Sequence, residues 1–490
     1  MTLSIGLSTA LSGLSVSSEQ TSVVSRNVAR VGDPSATRKI VNLVTVPGAG
    51  VRIASITRAS NEALFDKLLS ATASASGRTV IAEALAELEQ TVQDPELDAA
   101  PAALVTKLAN ALQQYSAAPQ DIVRASAAIA TASDLTRSLN AATDLVQRVR
   151  AQADADMAQS VDRVNSLLAQ FSTINAQITQ GSQSARDVTD QLDQRDQILA
   201  SLSEELGIRT VLRADNDMAI FTDGGITLFD RSARSVRFAR TASFGPTTAG
   251  NAVYVDGVPI TGSSGVMLSR SGRLPGLASV RDKVTVTYQN QLDEIARGLV
   301  QIFAEADQSP APTLPDVPGL FTYPGAVSLP ASGSVLTGLA GTIMVNANVD
   351  PDKAGDPTRL RDGAISGNPA YLYNTSAATG YADRLLQLSD KLAGSLAFDA
   401  AAACEVEATL SKFAASSVAW LEQTRQTTAH EADYQNTLLE RSHAAPSKIT
   451  GVNLDEEMTT LLELERSYQA STRLISAIDG MLKTLLMATA

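Results

Sequence analysis

Across 490 residues the sequence holds one cysteine, one tryptophan and two histidines, and aromatic side chains make up only 4 %. With Cys404 alone, no intrachain disulfide forms, and its Ala-rich surroundings predict a small core residue on a helix. His430 and His443 are too few for an imidazole-built zinc site. His430-Glu431 opens like a zincin helix, but Tyr434 stands where the second histidine belongs. Neither a Gly-x-Ser-x-Gly elbow nor a Gly-x-x-x-x-Gly-Lys-Ser/Thr phosphate loop occurs. Charge is scarce as well, at 19 % of residues, and the formal net charge is −13. An acidic, aromatic-poor surface repels phosphate backbones and offers few stacking platforms, so nucleic acid is not an expected partner. No apolar run reaches the length of a membrane span, and membrane insertion is not expected. Nor does a basic segment, apolar stretch and cleavage site open the chain in the manner of a secretory leader.

The acidic clusters fall short of calcium sites. Asp215-Asn216-Asp217 lacks the glycine and later ligand of an EF-hand loop. In Asn348-Val349-Asp350-Pro351-Asp352 the glycine is replaced by Lys353 and the final acid by Arg359. Both read as Asx turns, and Arg361-Asp362-Gly363 reads as a loop. No cofactor, metal or catalytic residue is expected.

Proline is absent between Pro119 and Pro246 and again between Pro369 and Pro446, and these windows carry the longest helical patterns. Asp121 to Leu206 is rich in good helix formers, with a turn at Gly181-Ser182 and a cap at Gly207. Tyr381 to Ser442, Arg58 to Gln93 and Ala278 to Ala306 complete a set of long helices. Between them lie β-favouring runs at Ile208–Leu212, Met218–Phe221, Ile226–Phe229 and Ala252–Val255, with Asp223-Gly224-Gly225 and Asp256-Gly257 as turns. Residues 310 to 357 hold eight of the eighteen prolines and read as loops with a strand or two.

The ends are patterned differently. Leu3, Leu7, Ala10, Leu14, Ser17, Thr21, Val24, Val28 and Val31 alternate steps of three and four. So do Leu461, Leu464, Tyr468, Ser471, Ile475, Ile478, Leu482 and Leu485. Asn453 and Glu456 are spaced for a capping box, and Asp455, Glu456 and Glu457 put negative charge on the positive end of the helix dipole. Gly32-Asp33-Pro34 and Pro446 to Gly451 are read as breakers. The two seams are expected to pair with each other.

The fold class is therefore mainly α with a β insertion. It is an elongated multi-domain rod with N- and C-terminal helices pairing as a coiled coil, a helical-bundle domain and a small β domain. The expected division is 1–34 with 447–490 as the terminal coiled coil, 35–207 with 276–446 as the bundle, and 208–275 as the β domain. The order helix, bundle, β insertion, bundle, helix brings both termini to one end of a rod.

The closing run TGVNLDEEMTTLLELERSYQASTRLISAIDGMLKTLL resembles the carboxyl-terminal signature of flagellar axial proteins, most of all the family of hook–filament junction proteins. The opening IGLSTALSGLSVSSEQTSVVSRNVARVGDPSATRK resembles that family's amino-terminal segment through Asn27. It departs at Val31-Gly32-Asp33-Pro34-Ser35-Ala36, which keeps a proline turn but lacks the family's tyrosine. The resemblance implies a structural protein of the flagellum, exported by the type III route and placed at the hook–filament junction. Implied partners are further copies in a ring, the hook protein, the second junction protein and an export chaperone that holds the carboxyl-terminal stripe. The seam residues Leu3, Leu7, Leu14, Val24, Val28, Leu461, Leu464, Tyr468, Ile475, Ile478, Leu482 and Leu485 would carry assembly and chaperone contacts. Two other readings stand beside it: a different axial protein of hook, rod or filament, and a secreted binding protein or effector recognising its target through the β insertion. An enzyme with a dispersed site is the remaining class.

Overall fold

The proline-free windows become long helices in the computed structural model, which describes residues 2–33, 36–47, 50–92, 100–263 and 265–489. Helix α1 spans Thr2–Ala29, followed by strands β1 (Lys39–Val46) and β2 (Gly50–Arg58). Helices α2 (Glu62–Val92), α3 (Pro101–Ser116), α4 (Ile122–Gln183) and α5 (Thr189–Glu205) come next. Short strands follow at β3 (Ile208–Leu212), β4 (Met218–Thr222), β5 (Thr227–Asp230), β6 (Ser232–Ala233), β7 (Val236–Arg237), β8 (Tyr254–Val255) and β9 (Val258–Pro259). Helix α6 (Arg273–Ser279) passes through a π turn at Val280–Val284 into α7 (Thr285–Ile302). A largely irregular lobe then holds β10 (Phe321–Thr322), β11 (Met344–Val345), α8 (Arg359–Asp362), α9 (Asp383–Ala393), β12 (Leu396–Ala397) and β13 (Glu407–Ala408). Helices α10 (Leu410–Thr450) and α11 (Leu454–Thr489) close the chain.

The fold is mainly α, organised around α4. Its 62 residues span about 93 Å at the helical rise, which makes the molecule elongated. Asp121 starts the helix by accepting from the amides of Val123 (2.9 Å) and Arg124 (3.4 Å). Leu135, Leu139, Val146, Met157, Leu168 and Phe171 run down its buried face and meet α3, α5, α6 and α7. Burying one such side chain contributes about 1.5–3 kcal/mol, so this stripe outweighs the weak intrinsic stability of any single helix. Beside it, α2 and α10 pack along one another, joining the two halves of the chain.

Several elements depart from the pattern read in the sequence. Strands β1 and β2 pair antiparallel with a bulge between Asn42 and Leu43, where the sequence pattern predicts part of the helical bundle. Helix α4 runs past Gly181-Ser182 and turns only after Gln183, because the Ser184, Ala185 and Arg186 amides bond back to carbonyls of its last turn. The expected helix over Tyr381–Ser442 breaks between α9 and α10, where β12 pairs with β13. Cys404 therefore lies in a bend and not on a helix. Pro446 stands inside α10; that helix is held along α2, and its last carbonyl, at Thr450, accepts from the Arg38 amide at 2.7 Å. Tertiary contacts there outweigh the backbone bond that proline removes.

The β insertion makes a four-stranded sheet in the order β3-β4-β5-β6 and a three-stranded one in the order β7-β8-β9. It does not keep a core of its own. Leu228, Phe229, Val236, Val253, Val255 and Ile260 belong to the same apolar cluster as α4, and Phe229 meets Phe171 edge-on with ring centres 4.9 Å apart. Asn165 and Arg150 of α4 tie its backbone down through Val236, Gly245 and Thr248. Asp215–Asp217 and Asp350–Asp352 are turns, with the Asp350 side chain accepting from the Asp352 amide.

Candidate functional site: the paired termini and their joint

The two end helices pair antiparallel in one continuous register. A methyl added at Gly6 would sit 3.5 Å from Ile478 Cδ1, and one at Gly13 would sit 3.3 Å from Ser471 Oγ. Ser17 Oγ lies 3.3 Å from Ser467 Oγ, and Asn27 Nδ2 donates to Glu457 at 3.0 Å. Each step along α1 is matched by an equal step back along α11, which is how two seams of the same period mesh. Small residues at the contacts bring the axes close.

Most of the seam residues meet at this interface, but not all. Ala10, Ser17 and Val24 are buried on α1, while Leu7, Leu14, Thr21 and Val28 are half-buried and Val31 is exposed. The side chain of Leu3 and the turn residues Pro34 and Ser35 lie outside the described residues. On α11, Leu464 and Ile478 are 8 % and 5 % exposed, and Leu461, Ile475 and Leu482 are half-buried. Tyr468 and Leu485 stay 45 % and 52 % exposed. A further set of apolar side chains on the same helix, including Leu462, Leu474 and Met481, also faces solvent.

The helix start differs from the expected capping box. Asn453 Oδ1 accepts from the Asp455 amide at 3.0 Å, but Glu456 turns outward to Arg38 at 2.8 Å and does not reach back. Glu457, buried, takes both Arg38 and Asn27. Asn27 is a hub: its amide group also bonds the Lys39 backbone in both directions, at 3.0 and 2.9 Å. One buried amide thus fastens α1, β1 and α11 together. On the other side of α1, Val51 N donates to Ser12 Oγ at 3.2 Å, so the far end of the β1–β2 pair rests on the helix.

This arm meets the bundle through charge. Asp187, Asp190, Asp193 and Asp196 recur every third residue leading into α5. Asp193, almost fully buried, receives Lys39, Arg30 and Arg58 at 2.5, 3.1 and 3.1 Å, and the Thr37 hydroxyl at 2.6 Å. Arg26 pairs with Asp187 at 3.1 Å and Arg58 with Asp196 at 2.7 Å. Burial raises Asp196 above the ordinary carboxylate range despite Arg58 beside it. Burial works against the charge of Arg58, yet Asp196 and Asp193 hold its guanidinium above its usual value. The repeated aspartates were the available sequence signal for this joint: steps of three place carboxylates along one side of a helix, facing Arg26 and Arg30 one turn apart at the end of α1.

The chain crosses this joint at 59–61 and 451–453, both non-helical. A cavity of about 560 Å³ lies beneath, lined by Arg58, Phe65, Leu192, Asp196 and His443 among others. The Arg58 and Asp196 that line it are already paired with each other. Among the described residues no group of three or more His, Cys, Asp or Glu is placed to hold a metal ion, and no helix is long and apolar enough to cross a membrane. Burial pushes the half-buried Cys404 thiol up to about 11, which leaves it a poor nucleophile.

Residues 85–310 match the family described as flagellar hook-associated protein FlgK helical domain, and residues 448–487 match flagellar basal body rod FlgEFG protein C-terminal. Flagellar hook-associated protein 1 of Bacillus subtilis is 21 % identical over 98 % of this chain and 97 % of its own length. The proteins of the same name from Escherichia coli and Salmonella typhimurium are 21 % and 22 % identical over 61 % and 60 % of the chain. The chain spans about half the length of these two, 56 % and 55 %. A solved structure of the flagellar hook junction protein FlgK from Burkholderia pseudomallei overlaps 53 % of the chain and 46 % of its own length, with 24 % identity and a TM-score of 0.43. With a helical body matched at 85–310 and a last helix matched at 448–487, this chain is similar to flagellar hook-associated protein FlgK in its helical domain and to flagellar rod proteins in its last helix.

Proposed function

We propose that the chain is a structural component of the bacterial flagellum, exported and assembled with copies of itself at the hook–filament junction, where it joins hook to filament. Its work is assembly and not catalysis. The arm formed by α1, the β1–β2 pair and α11 is the axial element, and the bundle with its β insertion forms the body. The observation that carries this is the paired terminal helices with apolar side chains left over. Once α1 has covered its share of α11, Leu462, Leu474 and Met481 remain in water, a pattern that neighbouring copies would bury. Hook protein on one side, the second junction protein on the other and an export chaperone before secretion are the partners of this reading. The relatives named flagellar hook-associated protein 1 support it.

A rod or hook protein of the same axial class is the second reading, favoured by the match of residues 448–487 to a rod-protein segment. The long helical body at 85–310 weighs for the junction. The test is expression of the chain in a flagellated bacterium deleted for its own junction protein. Filaments returning to bare hooks, with the chain present in sheared hook–filament material, is the expected result. Hooks that stay bare although the chain is exported and folded would refute the junction reading.

A further inference from the structure

Charge is sorted along the rod. The β insertion, 208–275, carries eight arginines against five aspartates, with no lysine or glutamate, in a chain whose net charge is −13. The irregular lobe, 305–407, carries twelve acidic residues against five basic ones. Both lobes rest on α4 but at different heights. Asn140 holds the acidic lobe by donating to Ala340 O at 2.7 Å, and Asn165 holds the basic one by donating to Val236 O at 2.9 Å. Those anchor points are roughly 38 Å apart along the helix axis.

The basic lobe is only partly neutralised from within, by Arg213 with Asp230 and Arg234 with Asp256. Arg231, Arg237 and Arg240 are exposed, cluster about the two short edge strands β6 and β7, and have no carboxylate within ion-pair distance among the described residues. On the acidic lobe Asp316, Asp352 and Glu407 are exposed, and no ion pair engages them among the described residues. Identical acidic chains repel one another, and opposite charges placed at a contact between copies offset that repulsion and fix its register.

We propose that the arginine-bearing lobe of one copy seats on the acidic lobe of a second copy, making a head-to-tail contact displaced along the rod. Such a contact uses two different surfaces, so it propagates into a ring or helix and does not close a pair. The contact deepens the junction reading and rests on it.

The test uses the full chain in the strain lacking its own junction protein, counting hooks that carry filaments. Wild type restores filaments. The triple variant R231E/R237E/R240E and the acidic-lobe variant D316K/D352K/E407K each lower that count at least tenfold, with circular dichroism and thermal unfolding near wild type. The six changes together restore it, because the swapped charges again attract. If wild type fails, the junction reading falls; if wild type works and either variant works equally well, or the combined variant stays defective, the lobe contact falls. A photo-crosslinker at position 240 of otherwise wild-type chain gives a readout independent of folding defects in the variants. Crosslinks to residues 305–407 of another copy are expected, and crosslinks only to other segments or other proteins would overturn the proposal.

Discussion

At Asp193 a carboxylate with 1 % of its side chain exposed meets a lysine and two arginines. An ion network this buried is costly to assemble, but costlier to leave incomplete, since removing one partner strands charges that water cannot reach. Asp193→Asn is expected to cost about 3–5 kcal/mol of arm docking. Amide exchange across β1 and β2 then speeds by roughly a hundredfold or more, while the amides of α4 keep their protection. Unchanged exchange in these strands would show that the network is ornamental. Asp293 makes a second case, through pH. Burial pushes its carboxyl up to about 6, against the pull of the Gly338 and Ala340 amides and Gln289. The native state therefore holds this proton more tightly than the unfolded chain, and stability falls as pH rises from about 4 to about 6. Urea unfolding of wild type at pH 5 and pH 7 should show this loss, and Asp293→Asn should lose that part of the slope.

At the scale of elements, close approach depends on particular small residues. Helices α2 and α6 touch at Gly77 and Gly276, where a methyl on Gly276 would lie 2.7 Å from the Gly77 carbonyl oxygen. Backbone cannot swing away as a side-chain tip can, so Gly276→Ala is expected to destabilise by about 1–3 kcal/mol, read as a lower urea midpoint with unchanged m-value. The long helices were legible in the sequence because proline-free windows and helix formers act locally. The pairing of β1 with β2 was not. Their runs are β-branched, but Ile40-Val41 and Leu43-Val44 blur the alternation that marks a half-buried strand. The break between α9 and α10 was hidden by composition, since the alanines that follow Asp399 read as helix. There the Asp399 side chain accepts from the Ala401 and Val335 amides and holds a turn in place. At the ends, heptad spacing identified α1 and α11 as stripes that pair, but direction and register came from long-range bonds such as Asn27 to Glu457, which no local pattern encodes.

Over the whole molecule, one apolar cluster runs from α3 through α4 into both β sheets and on to α10. The sequence spacing pointed to a separable β domain, whereas Phe229 against Phe171 and Arg150 reaching Gly245 and Thr248 make it part of the body. Deleting residues 208–275 is therefore expected to uncover α4. The product should unfold at clearly lower temperature and aggregate, instead of leaving an intact bundle; a deletion that melts like wild type would show that the insertion is a detachable module.

The central claim is that the arm made by pairing α11 with α1 does the assembling, and Ile478, which holds that pair together, tests it most directly. It is 5 % exposed and faces Gly6 across the seam. Ile478→Asp places an unpaired carboxylate there, costing on the order of several kcal/mol to the helix pair, while the bundle lies elsewhere and should melt as wild type does. In the strain lacking its own junction protein, electron microscopy of cells making this folded variant should show bare hooks where wild type gives filaments. Filaments joined as often with the variant as with wild type would contradict the account.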